Sequence, residues 1–522
     1  MVQYMDNNSG FNQWVANKSA DKKKSGGLSR LLWWVVLFLA AWWLIGVFMA
    51  PKKTVVIADD AAIATVDLSA VSQTQIDTDN LGVALRGLRV ANVDLKDFAR
   101  DSKDATPMRL LDEDAGAFAE VGLLATGTTA PVATTEWRDS GDGVYTWRNS
   151  DGVDFTRTVS VDGYVITIND AVKNNTAHDI SVAPYARIVR GADKKSSAGV
   201  YTGAVAFANG DLEHKGWASL AKRPRAYTSA DGYVGFVDQY WETVVAIDAP
   251  NQTMRAAPHG ALYQADASAS AIAVAPGESM DVKTHLYVGP RDRGALRAAA
   301  ARIPGVQKTI DYGWFWFLAR PLAWALNALH SVVGNYGVAI IILTILLRLL
   351  MWPLTRKSYQ SMAKMQKMQP ELTRIQKLYA NDKARLQMEM MRVYQSHKTS
   401  PMSGCLPMLI QIPIFFALYK ALLVSVQMRN AHFLWIHDLA AMDPYFILPI
   451  IMGATMMWQQ RLQSAPASNN PNDPIAQTQR AMKWMPIMFT ILFAWMPAGL
   501  VLYWATSNLC GILQMYVIKK RS

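Results

Sequence analysis

Hydrophobic and polar positions follow three regimes along this chain. Residues 31–50, LLWWVVLFLAAWWLIGVFMA, are twenty uncharged residues in a row. As a helix they cross a hydrocarbon core of about 30 Å. A secretory signal peptide is the competing reading. The run is long for one, and Pro51-Lys52-Lys53 follows where a small-residue cleavage site belongs. The stretch is therefore predicted to be an uncleaved transmembrane helix. Before it, residues 1–30 are polar with a Lys22–Lys24 run, and they predict a disordered cytoplasmic segment.

From 51 to 310 the pattern changes to short alternating runs rich in Val, Thr, Tyr and Ile. The clearest is GVYTWRNSDGVDFTRTVSVDGYVITINDAV from Gly143. Asp151-Gly152 and Asp162-Gly163 are hairpin signals, and Asp231-Gly232 repeats them. Strands at this spacing predict a large β-sandwich domain, closed by a short helix near Ala295–Arg302. Asp112-Glu113-Asp114 reads as a solvated acidic loop.

The third regime is helical. Residues 311–333 begin aromatic and carry Arg320, Asn327 and His330, the composition of an interfacial amphipathic helix; a full span is the alternative. Apolar stretches then predict transmembrane helices at 334–354, 401–427, 444–460, 482–496 and 499–518. Between the first two lies 355–400, with ten Lys+Arg against three Asp+Glu. It reads as a basic cytoplasmic helical hairpin, Ser358–Gln369 and Glu371–His397, parted by Pro370, with Asn381-Asp382 as an alternative break inside the second stretch. The loop 428–443 is more balanced in charge and fits the periplasm. The loop 461–481 and the tail 519–522 are basic and fit the cytoplasm. The fold class is thus a polytopic α-helical membrane protein with six spans, both termini cytoplasmic and a large periplasmic β domain.

Charge sharpens this division. Residues 54–310 hold 25 Lys+Arg and 32 Asp+Glu, a net of −7, while the rest holds 27 and 9, a net of +18. The basic excess sits in short loops beside apolar segments, which is the positive-inside pattern. Those loops also suit ribosomal RNA or anionic lipid as partners. Both cysteines, Cys405 and Cys510, fall in the helical part, so the β domain must hold itself together by its core.

Candidate chemistry is sparse and concentrated. Arg348 lies inside VAIIILTILLRLLMWPL, residues 338–354, which is otherwise uncharged. A guanidinium stays charged under protein conditions, and at membrane depth it costs at least about 2.5–3.5 kcal/mol on insertion scales. Two readings follow: a hydrated intramembrane site, or a side chain snorkelling to the nearby helix end. Thr344 is one turn earlier on the same face. Gln411, Ser507 and Asn508 lie in other predicted spans, either lining a wet groove or making ordinary interhelical hydrogen bonds. Nineteen of the 25 methionines follow position 350. Met362, Met365 and Met368 recur every three residues in the hairpin, as its core or as an adaptable apolar surface. No phosphate loop, metal cluster or catalytic constellation is visible, so neither enzyme chemistry nor a cofactor is expected.

Long ordered segments of the helical part resemble the YidC/Oxa/Alb membrane protein insertase family in its Gram-negative form. They are DYGWFWFLARPL at 311–322, MWPLTRKSYQSMAKMQKMQPE at 351–371 and SPMSGCLPMLIQIPIFFALYKAL at 400–422. LWIHDLAAMDPYFILPIIMG at 434–453, KWMPIMFT at 483–490 and PAGLVLYWATSNL at 497–509 continue the match. The resemblance implies insertion and folding of inner-membrane proteins, alone or beside the Sec translocon. It implies five core helices around a hydrophilic groove, a periplasmic β-supersandwich, and nascent membrane proteins as substrates. Ribosome and signal recognition particle receptor are further implied partners, with membrane lipid around them. Arg348 matches the groove arginine, and Thr344 and Trp504 match positions linked to activity; Trp504 stands where many relatives have Tyr. The polar 30-residue N-terminal extension departs from the family pattern, and so does the very short basic tail. The rival reading is a secondary transporter or channel with Arg348 as an anion site. It requires an inverted repeat, and none is visible.

Overall fold

The computed structural model describes residues 68–101, 104–192, 200–379, 382–397, 406–463 and 474–520. The predicted N-terminal segment, the span at 31–50 and the end of the basic tail lie outside these residues. So do the side chains of Met362 and Met365.

Alternating burial builds the β part. Along Asp154–Asp162 every second side chain through Val159 is buried, and the antiparallel neighbour Val165–Lys173 alternates in step. A one-residue slip would turn both apolar sets outward, so the pattern fixes the register. Their link is a tight turn in which Asp162 pairs with Val165 and Gly163 takes φ +58°. Nineteen strands form two antiparallel sheets among the described residues. One runs Gln73–Asp77, Leu81–Arg86, Arg89–Asp101, Phe118–Thr126, Ile180–Arg190, Leu262–Ser268, Gln252–His259, Arg225–Ser229, with Asp104–Asp112 and the short Ile272–Val274 off this path. The other runs Asp211–Gly216, Gly203–Ala208, Gly232–Val237, Trp241–Ile247, Ser279–Pro290, Val165–Lys173, Asp154–Asp162, Val144–Arg148, Arg138–Asp139. Their inner faces share one apolar core. Arg157 pins the two together: it pairs with Asp170 in its own sheet at 2.7 Å and donates to the Val121 carbonyl of the other at 2.8 Å.

Asp231-Gly232 is not a hairpin. Arg225–Ser229 belongs to the first sheet and Gly232–Val237 to the second. A Cβ at Gly232 would lie 2.2 Å from the Phe207 carbonyl, so the glycine serves close approach at a crossover between sheets. The closing helix is present as α1 (Arg293–Ala299), capped by the Asp292 side chain on the amides of Gly294 and Ala295.

The helical part comprises α2 (Trp316–Val333), α3 (Tyr336–Leu350), α4 (Trp352–Leu378), α5 (Lys383–Ser396), α6 (Leu406–Leu423), α7 (Ile447–Gln463), α8 (Pro474–Phe493) and α9 (Ala498–Lys520). Gly334 at φ +69° ends α2, and the Asn335 side chain caps α3 by accepting from the Val338 amide. The apolar helix α9 packs against α3, α4, α6 and α7 and forms the centre of the bundle. Among the described residues only Ala498–Ile518 is, by itself, long and apolar enough to cross a membrane; α3 with the start of α4 passes as a pair bent by 62°.

Two prolines act differently. Pro353 sits at the start of α4, where it leaves the Leu349 carbonyl without its helical donor, and the chain bends there. Pro370 was expected to part the hairpin helices, but α4 continues through it to Leu378. Met368 and Leu372, on either side of Pro370, pack with Val393 of α5, and this contact offsets one lost hydrogen bond. The break falls between Leu378, where α4 ends, and Lys383, where α5 begins, at the alternative site that Asn381-Asp382 offered.

The two parts share a core. Ala417, Ala421 and Val424, at and beyond the end of α6, are buried with Phe207, Tyr233, Ile303 and Ile310 of the β part and its connection. Polar contacts reinforce the junction. Lys420 pairs with Asp311 at 2.9 Å, Gln239 donates to the Leu423 carbonyl at 3.1 Å, and Gln427 donates to Asp292. Arg429 donates to the carbonyls of Ala99 and Arg100 and lies over the Trp241 ring.

Candidate functional site

Arg348 occupies the last turn of α3, just before the bend. Its half-buried guanidinium donates from Nε and Nη2 to Ser507 Oγ of α9, at 2.9 and 2.6 Å. Tyr359 of α4 is buried close to the guanidinium and to Gln459 of α7. The helix surface permits this because Gly511 lies one turn from Ser507. A Cβ there would come within 3.1 Å of the Gln459 side chain. Among the described residues no carboxylate forms an ion pair with Arg348.

The charge faces a small concave space with a volume of about 30 Å³. Thr344, Leu347 and Arg348 of α3 line it, with Met351 and Leu354, Thr355 and Ser358 at the bend. Gln411 and Ile414 of α6 and Tyr503 and Ser507 of α9 complete the wall. Gln411 donates to the Tyr503 hydroxyl, which ties α6 to α9 one turn from Ser507 and its bond to Arg348. Thr344 is buried and spends its hydroxyl on its own helix, donating to the Ile340 carbonyl at 2.6 Å.

Four of the six residues expected in the groove therefore meet: Arg348, Thr344, Gln411 and Ser507. Asn508 does not. It is one residue past Ser507, so it points about a quarter-turn away, toward the Met452 carbonyl and Thr455 of α7. Trp504 is also outside the wall, half-buried among Phe415, Phe489 and Phe493, with ring centroids 4.9–6.2 Å away. Sequence reasoning missed Tyr503, Ser358, Thr355 and Tyr359. Tyr503 was signalled by its position one turn before Ser507. The others lie beyond the apolar run, where polar residues carry no signal. Met368 is in the hairpin core, with Leu372 and Val393. Among the described residues no cluster of three or more His, Cys, Asp or Glu is arranged to hold a metal ion.

The fold and this cavity define a class: a helical membrane protein with a large β domain and a charged concavity among its helices. Two family models divide the chain, the 60Kd inner membrane protein family over residues 328–522 and the YidC periplasmic domain over 73–325. A membrane protein insertase YidC of Mesorhizobium japonicum is 35% identical, the match covering 87% of this chain and 82% of that protein. The corresponding protein of Methylobacillus flagellatus is 37% identical over 81% of this chain and 79% of its own. A solved structure titled as an active YidC insertase with its first transmembrane domain resolved is 20% identical over 86% of this chain and 95% of its own, with a TM-score of 0.38. The chain belongs to the YidC family of membrane protein insertases, inner-membrane proteins with a periplasmic domain rich in antiparallel sheet.

Proposed function

We propose that this insertase works by lending a fixed positive charge to its substrate at Arg348. The observation that carries the reading is a guanidinium whose side-chain hydrogen bonds go to the neutral Ser507 hydroxyl, beside a cavity, with no ion-paired carboxylate among the described residues. A charge left uncompensated in a region of reduced dielectric attracts an anionic group more strongly than it does in water. The short, acidic outer segment of a nascent membrane protein enters the cavity and pairs transiently with Arg348, which lowers the desolvation cost of crossing. The substrate's apolar helix then moves along the aromatic flank of Phe415, Phe489, Phe493 and Trp504 into lipid, where burial of apolar surface is favourable. Gln411, Tyr503 and Ser507 hydrate and align the path. No bond is made or broken, and no cofactor takes part.

In this reading six helices span the inner membrane with both termini in the cytoplasm. The predicted helix at 31–50 is the first and α2 lies along the periplasmic surface. The hairpin α4–α5 is the cytoplasmic docking surface for the ribosome or the signal recognition particle receptor, and the Sec translocon is a partner at the membrane.

The test compares Arg348→Ala and Arg348→Lys in proteoliposomes, with a substrate bearing an acidic outer segment. Loss of a charged hydrogen-bonding group predicts roughly a tenfold or greater fall in insertion for Arg348→Ala, and substantial activity for Arg348→Lys, which keeps the charge. Equal insertion by Arg348→Ala and the parent refutes the reading. Solute flux through the same vesicles, blocked by Arg348→Ala, points instead to an anion transporter.

A further inference from the structure

Arg348 is gripped at two places by α9. Its guanidinium meets Ser507, and its backbone carbonyl accepts from Gln514 Nε2 at 3.0 Å. Ser507 and Gln514 are seven residues apart, two turns along one face of α9. The carbonyl in question belongs to the last turn of α3, one of the four that a helix end leaves without an intrahelical donor. It borders the bend where Pro353 supplies no N–H. Gln514 is buried, and its Oε1 has no hydrogen-bond partner. A buried glutamine that leaves its acceptor unsatisfied is costly unless its donor serves a purpose. Here the donor occupies the backbone of the one charged residue in the cavity wall.

We infer that Gln514 is a positioning residue for Arg348. By tying down the carbonyl end of α3 it fixes the angle of the bend and the direction in which the guanidinium leaves the helix. Without it the carbonyl must find another donor. The last turn of α3 then unwinds or rotates, and the guanidinium leaves Ser507 for the open side of the cavity. Leucine or methionine fills the same volume at this depth, so a glutamine here is explained by its donor rather than by packing.

The activity arm rests on the charge-lending role of Arg348; a second arm does not. Gln514→Met and Gln514→Glu match the side chain in size and supply no neutral N–H. Gln514→His keeps a donor. In the full chain in proteoliposomes, insertion of a substrate with an acidic outer segment is expected to fall by roughly 3–10-fold in the Met and Glu variants, the range for one buried hydrogen bond. A substrate of equal length with a neutral outer segment stays within about twofold. Gln514→His recovers most of the loss, and Gln514→Met adds nothing to Arg348→Ala. Equal falls for both substrates, or no fall for either, overturn the inference. If Arg348→Ala itself fails to distinguish the two substrates, the charge-lending reading is refuted and the second arm decides the positioning role alone. That arm is the rate at which phenylglyoxal modifies Arg348, read by mass spectrometry. Several-fold faster modification in Gln514→Met and Gln514→Glu, with parent-like rates in Gln514→His, upholds it. Identical rates in all four proteins overturn it.

Discussion

Glu242 is wholly buried in the β part, accepting from Thr309 Oγ1 at 2.6 Å, while its second oxygen has no partner. Burial pushes its carboxyl up to about 7, and nearby Arg291 pulls the other way. The folded chain thus keeps a proton that the unfolded chain releases near 4.5. The stability this proton brings is fully present below about 4.5, declines as pH rises, and is gone once pH passes about 7. The expected span is on the order of 1–3 kcal/mol. Glu242→Gln keeps an acceptor for Thr309 and cannot titrate. Thermal unfolding of the detergent-solubilised chain from about pH 5 to about pH 8 should show a falling midpoint in the parent and a flatter profile in Glu242→Gln. Parallel profiles contradict this account. Arg348 was legible for an opposite reason: it is a charge interrupting an apolar run, and such an interruption shows at a glance. Glu242 and Gln514 are hidden because their surroundings come from segments distant in sequence.

At the scale of elements, period and punctuation were readable, and the exceptions are physical. Alternation identified the strands, yet Asp231-Gly232 has the letters of a hairpin and performs a sheet crossover, since the partner of each strand is set by long-range packing. Pro353 falls at the junction of two helices, where the chain bends, whereas Pro370 lies inside one helix whose flanking Met368 and Leu372 pack on α5. Helix contacts also rest on glycine. A Cβ at Gly337 of α3 would lie 2.2 Å from the Phe433 ring, which belongs to the loop after α6. Gly337→Leu is expected to lower stability by about 1–3 kcal/mol through overpacking. The check is the thermal midpoint in detergent, with Gly511→Ala as the milder comparison because a flexible glutamine end faces it.

For the whole molecule, the junction sets what can be removed. The charge division of the sequence separated a β part from a helical part, but gave no sign that α6 and the β part share a core. Asp311 shows the coupling: burial raises its carboxyl, yet the hydrogen bond and charge of Lys420 more than offset this and hold it below the usual range. A deletion of 73–290 that keeps Arg291 to Phe315 retains the Lys420 partner and the buried Ile303, Val306 and Ile310. It is expected to keep substantial insertion activity, whereas a deletion extended through Phe315 exposes Ala417, Ala421 and Val424 and loses more. Insertion assays on the two deletions in vesicles decide the point, and equal activity would show that the shared core is dispensable.

The 62° bend carries a mechanical consequence. Beyond it, α4 runs 27 residues, a rod of about 40 Å. Arg348 stands beside the fulcrum and the hairpin turn at the far end of the lever. A swing of roughly 10° about the bend sweeps that tip through about 7 Å, by the rod length just given, and displaces the guanidinium far less. By this geometry, a load applied to the hairpin would reach the charge as a much smaller displacement.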